Sequence, residues 1–268
     1  MSAGGKRAEP ASPAFSVVLH SERPELWDRI PALFAGVVPE YNLHGDISDG
    51  EGDYWNRLFK DFPEYQFVLY DEARDDILGA GRSVPRSWDG TAEGLGPGLD
   101  DSIAAAFRDL DAGRAPGALC ALGVEVAPGH QGRGLSGPLL RQLVETARDA
   151  GLSRVIVPVR PTWKDRYPLV PIERYAAWQR ADGAPFDPWI RTQVRAGGTL
   201  SAASGRSSRI TGTVAEWESW TGMAFPDDGD YVFPHGLATV RIDHARDLGA
   251  YWEPGVWILH DAAPAREP

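Results

Sequence analysis

The chain has 268 residues, the composition of a water-soluble globular protein and a net charge of −11, which argues against general nucleic-acid binding. No apolar run approaches the roughly 18 residues a membrane span needs, and no charged-then-apolar leader opens the sequence. A single cysteine, Cys120, excludes an internal disulfide and cysteine-based zinc centres, and suits a reducing cytoplasm.

Residues 1–14, rich in Ala, Gly, Ser and Pro, read as a loose tail, and residues 15–268 as one domain. Residues 15–20 form an opening strand. A helix is expected over 23–41, with Leu26, Ile30, Leu33 and Val37 on its apolar face, and a second over 53–62. Segments 66–70 and 76–82 make a hairpin across the charged turn 71–75, followed by a loop at 85–98 and a helix over 100–111. The apolar run 118–126 reads as a buried strand. Residues 137–150 are helical, with Leu139, Leu140, Leu143, Val144 and Ala147 in period and Gly151 as the stop. A strand over 154–160, helices over 171–180 and 188–196, and short strands at 209–214, 237–242 and 256–259 complete the chain.

The segment Val126-Ala127-Pro128-Gly129-His130-Gln131-Gly132-Arg133-Gly134-Leu135-Ser136 carries the strongest signal. It joins a buried strand to an amphipathic helix. Glycines let the backbone approach a ligand, and the amides opening a helix are unpaired, with the positive end of the dipole behind them. Pro138 fits the first turn, where its missing N–H costs nothing. Physics alone predicts a phosphate or diphosphate site. Gly132, Gly134 and Gly137 also satisfy a dinucleotide spacing. However, five residues separate the strand from the first of them, and the next strand ends in Arg160, not an acid. No Gly-Lys-Ser/Thr follows, which excludes a Walker A loop.

Gln131-x-x-Gly134-x-Ser136 after Val-x-Pro resembles motif A of the GNAT superfamily of N-acetyltransferases, usually written Gln/Arg-x-x-Gly-x-Gly/Ala; Ser136 is a small-residue departure. The element order over about 15–160 is similar to that fold, apart from the extra helix at 100–111. The resemblance implies an α/β (α+β) fold, with a central mixed, mostly antiparallel sheet whose central strands splay between flanking helices. It implies acetyl-CoA or another acyl-CoA as donor and no metal. The diphosphate would lie on Gln131, Gly132, Arg133, Gly134, Leu135 and Ser136, and the thioester against the amides of Val124 to Val126. After Arg160 the pattern departs. An insertion rich in Pro, Trp and Arg fills about 161–187, Trp163 stands near the family's usual Asn, and Gln193 or Val194 stands where its acidic Tyr would be. A C-terminal extension follows.

Transfer from a thioester to an amine needs a polarised carbonyl, a base for the amine and an acid for the thiolate. Strand alternation puts Cys120, Leu122, Val124 and Val126 on one face and Glu125 on the other. Tyr175, on the helix in the insertion, is the expected acid. Glu125 is the expected base, with Glu173 the other nearby carboxylate. Cys120 is expected in the core, not as a nucleophile. Trp163 and Trp178 are expected to wall an acceptor pocket, and Arg160 and Lys164 to reach outer phosphates. His130 is read as shaping the loop or meeting a phosphate, and Asp243 and His244 as facing the acceptor.

Between residues 154 and 209 there are ten Lys/Arg and four Asp/Glu, a local positive excess in an acidic chain. The expected function is acyl transfer, acetyl by preference, from coenzyme A to an amine of a small-molecule acceptor in the cytoplasm. An acyl carrier protein or aminoacyl-tRNA donor, received by the basic block, is the alternative. A non-catalytic acyl-CoA sensor is the third reading.

Overall fold

The computed structural model describes residues 15–49 and 53–263, so the expected tail lies outside it. β1 (Ser16–Leu19) leads into a 3-10 turn, Pro24–Arg29, and α1 (Ile30–Leu33). The single helix expected over 23–41 is therefore broken. Gly36 adopts a left-handed φ of +76° just past α1, and Pro39 precedes a new 3-10 turn, Glu40–His44. Next come α2 (Asp46–Asp49), α3 (Tyr54–Asp61), β2 (Gln66–Asp71) and β3 (Asp76–Arg86). α4 (Leu99–Asp111), β4 (Ala118–Val126), α5 (Ser136–Asp149) and β5 (Arg154–Val159) follow close to their expected bounds. The insertion carries only a short helix, α6 (Ile172–Ala176), before α7 (Pro188–Arg195).

The last quarter differs most from the sequence reading. It contains β6 (Thr199–Gly212), α8 (Val214–Thr221), β7 (Gly229–Tyr231), β8 (Val240–Asp243) and β9 (Leu248–Asp261). Nine strands make one sheet in the order β1-β2-β3-β4-β5-β9-β8-β7, with β6 along the other edge of β9. Every pairing is antiparallel except β4 with β5. The mixed, mostly antiparallel sheet is as expected.

Apolar side chains fix helices on both faces. Leu139, Leu140, Leu143 and Ala147 of α5 pack against Leu119, Ala121, Val155 and Val157. On the other face Leu58, Ile103 and Phe107 pack against Ala118, Cys120, Ile156 and Trp257. Each such side chain contributes about 1.5–3 kcal/mol when fully buried. Gly151, at φ +72°, ends α5 as expected, and Leu152 N–H then bonds the Ala147 carbonyl at 2.8 Å. Among the described residues, no helix is long and apolar enough to cross a membrane.

Candidate active site

β4 and β5 pair at only two positions, Leu119 with Val155 and Cys120 with Ile156. Beyond them the strands part. Residues 121–126 and 157–160 then form facing walls of a cavity of about 1560 Å³. This is the splay that the resemblance implied.

The face assignment of β4 needs correction. Gly123 pairs with Arg82, but Ala121 pairs with Ser83, so Leu122 is an extra residue in the strand. Such a bulge reverses the alternation beyond it. Val124 and Val126 consequently join Leu119 and Ala121 on the α5 side, while Cys120 and Leu122 pack on the α3–α4 side. Cys120 is a fully buried core residue, its thiol pushed up to about 11 by burial.

On the α5 side, Val124, Val126, Gln131, Gly132 and Ser136 line the cavity. Gly132 and Gly134 both adopt φ +76°, and that curl exposes the loop while Leu135 is buried beneath it. Among the described residues, the amides of Gly132, Arg133, Gly134 and Leu135 have no acceptor. They precede a fourteen-residue helix whose dipole favours an anion at this end. Arg133 and Gly134 do not line the cavity itself but form the exposed turn at its rim. His130 shapes the loop: its Nε2 meets Asp76 at 2.7 Å, and Arg133 donates to its Nδ1 at 3.2 Å.

The cavity wall also carries carboxylates from separate segments of the chain. Glu125 is bound by Arg82 at 2.7 Å. Glu253 accepts from Arg160 at 3.0 Å and from Tyr251 at 3.3 Å, with Asn42 at 3.4 Å. Asp100 accepts the Arg209 backbone N–H at 2.7 Å through Oδ2, while its Oδ1 has no partner. Burial pushes the Asp100 carboxyl up to about 6 against the opposing pull of the Arg209 amide, and the like charges of Asp46 and Glu253 add to the rise. Gln193 of α7 is fully buried, lines the same cavity and meets His260 Nε2 at 2.7 Å. Sequence reasoning missed Arg82, Asp100 and Glu253. Only Glu253 left a trace, as an acid inside the otherwise apolar stretch 250–259.

Several expected site residues are elsewhere. Tyr175 is buried in the core, does not line the cavity, and donates to Asp187 at 2.8 Å. Burial, with the neighbouring Asp187 charge, raises its phenol well above the usual range. Asp187 also accepts the amides of Trp163, Trp189 and Ile190, so it ties the insertion to the start of α7. Trp163 and Trp178 belong to this aromatic knot around Phe186 instead of walling the cavity; Trp189 is the tryptophan of the region that reaches it. Lys164 is buried, donating to the carbonyls of Tyr167 and Leu237, so it cannot serve an outer phosphate. Arg160 is occupied with Glu253 and Tyr41. Glu173 is exposed and away from the wall. His244 bonds the Phe225 carbonyl and Asp243 caps Arg246, both outside the cavity lining. Within the basic block, Arg154 pairs with Asp261, Arg160 with Glu253, Arg180 with Asp182 and Arg209 with Asp46.

A family model described as "Acetyltransferase (GNAT) family" matches residues 39–166. Arginine N-acetyltransferase avaD of Aspergillus versicolor is 26% identical over 279 residues, covering 92% of this chain and 94% of its own. The loading GNATL domain of CurA from Lyngbya majuscula is similar at TM-score 0.58 and 16% identity, over 93% of this chain and 98% of that one. The GphF GNAT-like decarboxylase, solved with isobutyryl-CoA, gives TM-score 0.55 and 17% identity over 92% and 100%. At such identities the structural likeness speaks for the fold. With the glycine loop, the parted central strands and the family match in agreement, residues 39–166 match the GNAT family of acetyltransferases and the chain has a GNAT-like fold, with an insertion after β5 and an extended C-terminal region.

Proposed function

We propose that this protein transfers an acyl group, acetyl by preference, from coenzyme A to an amine of a small-molecule acceptor. The observation that carries the reading is the continuity of one cavity. It runs from the loop at Gln131, Gly132 and Ser136, through the gap between β4 and β5, to the carboxylate-bearing wall at Asp100, Glu125 and Glu253. A diphosphate suits the loop amides, and an extended pantetheine arm suits the unpaired edge of β4. The acceptor then enters from the carboxylate end. The likeness to a relative named arginine N-acetyltransferase supports an amine acceptor.

In this reading the amine lone pair attacks the thioester carbonyl carbon. Amides around Val124 to Val126 stabilise the developing oxyanion, the carbon–sulfur bond breaks, and its electron pair leaves on sulfur. Glu125, oriented by Arg82, takes the amine proton. Gln193 has no acidic proton to return, so the thiolate leaves as an anion and is protonated by solvent; a free thiol titrates near about 8.5. Release of thiol from acetyl-CoA that depends on an added amine tests the proposal. Transfer only from an acyl carrier protein or aminoacyl-tRNA would favour the alternative donors, and binding without turnover would favour a sensor.

A further inference from the structure

Among the carboxylates that line the cavity, Glu125 is matched by Arg82 and Glu253 by Arg160. Asp100 is not. Its Oδ2 is met by the neutral Arg209 backbone N–H, and the neutral Ser208 hydroxyl also pulls on the carboxylate. Its Oδ1 has no hydrogen-bond partner, and no cationic side chain among the described residues lies within ion-pair distance. The Arg209 guanidinium, the closest in sequence to its backbone partner, is instead turned to Asp46 at 3.5 Å and lies over the Trp252 ring. The position is rigid. Asp100 stands in the first turn of the thirteen-residue α4, whose preceding Gly98 abuts Ser207 so closely that a Cβ would overlap it. Ser207 in turn accepts the neighbouring Leu99 backbone N–H on its hydroxyl oxygen at 3.1 Å. A half-buried carboxylate with one dry, unpartnered oxygen and no counter-charge costs free energy that a ligand cation would recover.

Resting on the acyltransfer reading, we propose that Asp100 is the acceptor-binding carboxylate, which receives a cationic ammonium or guanidinium group of the acceptor. The like charges of nearby Asp46 and Glu253 act on Asp100, although each of the two has its own arginine, Arg209 and Arg160. The charge sorting within the cavity follows from this. The donor's phosphates meet backbone amides at one end, and the acceptor's positive group meets a bare carboxylate at the other. An acceptor lacking a cation forfeits that interaction, so the site discriminates against neutral amines as well as admitting cationic ones.

The test uses the full chain loaded with coenzyme A, with L-argininamide as the probe and L-norvalinamide as its counterpart lacking the guanidinium. Asp100→Asn retains the side-chain oxygen that the Arg209 amide needs. The expected result is at least tenfold weaker L-argininamide binding in Asp100→Asn, and a KM for this acceptor raised more than kcat is lowered, while acetyl-CoA affinity stays within twofold of wild type. An equal loss for both amides assigns the reacting ammonium to Asp100, and a loss confined to L-argininamide assigns the guanidinium; each supports the proposal. Unchanged L-argininamide affinity in the variant overturns it, as does a wild-type protein that takes up acetyl-CoA but not L-argininamide. Failure of the wild type to bind acetyl-CoA strikes the parent reading instead.

Discussion

Cys120 and Ile156 are the last partners that β4 and β5 share, and everything proposed for this protein happens past that point. Two parallel strands that continued in register would bury their amides in a ladder. Parting here leaves backbone groups free to line a cavity, the surface on which the proposed transfer would take place. The bulge at Leu122 adds to this by turning Val124 and Val126 toward α5, beside the loop at 131–136.

Glu125→Gln should keep a side-chain acceptor for Arg82 and leave acetyl-CoA affinity unchanged. Removing a general base costs roughly 10²–10⁴-fold in turnover. Steady-state thiol release with a saturating amine checks this, and a loss below about threefold would remove Glu125 as the base.

Tyr175→Phe separates the structure from the sequence expectation. Deleting the hydroxyl removes one hydrogen bond to the buried Asp187, which still accepts three backbone amides. The expected cost is about 1–2 kcal/mol in chemical denaturation, with turnover per folded molecule within about twofold of wild type. A loss of turnover without a loss of stability would restore Tyr175 as an acid.

Asp100→Asn should alter the pH dependence of stability. The Asp100 carboxyl titrates at about 6 in the fold, raised from an ordinary 3.8 chiefly by burial. The folded protein therefore favours the protonated form. Stability is lost as pH rises from about 4 to about 6 and stays lost above that. The variant should be more stable than wild type at pH 8 by roughly 1–3 kcal/mol, and the advantage should vanish near pH 4. Urea denaturation of both proteins at the two pH values measures this difference.

The middle of the chain was legible because its signals are local. The hairpin of β2 and β3, and the passage from β4 through paired glycines into α5, each declare themselves within a dozen residues. The helix expected over 23–41 failed because apolar periodicity outweighed Pro24, Pro31, Pro39 and Gly36, which break the backbone pattern. β6 was read only from its last residues. Its earlier part is polar and largely exposed at the sheet edge, so no alternation marks it. The proposed donor half of the site lies in one contiguous motif. The proposed acceptor half draws on Arg82, Asp100 and Glu253, which lie far apart in sequence and line one cavity. Tyr175 was chosen for its chemistry and nearness in sequence, but the Asp187 knot claims its hydroxyl.

Calorimetric titration with acetyl-CoA and with free coenzyme A, in the wild type and Gly134→Trp, tests the central claim most directly. Gly134 has a left-handed φ of +76° with open space around a would-be Cβ, so the substitution obstructs the loop without entering the core. The account predicts saturable one-to-one binding of both ligands to the wild type, weakened at least tenfold in the variant. No binding to the wild type, or equal binding to both proteins, would contradict it.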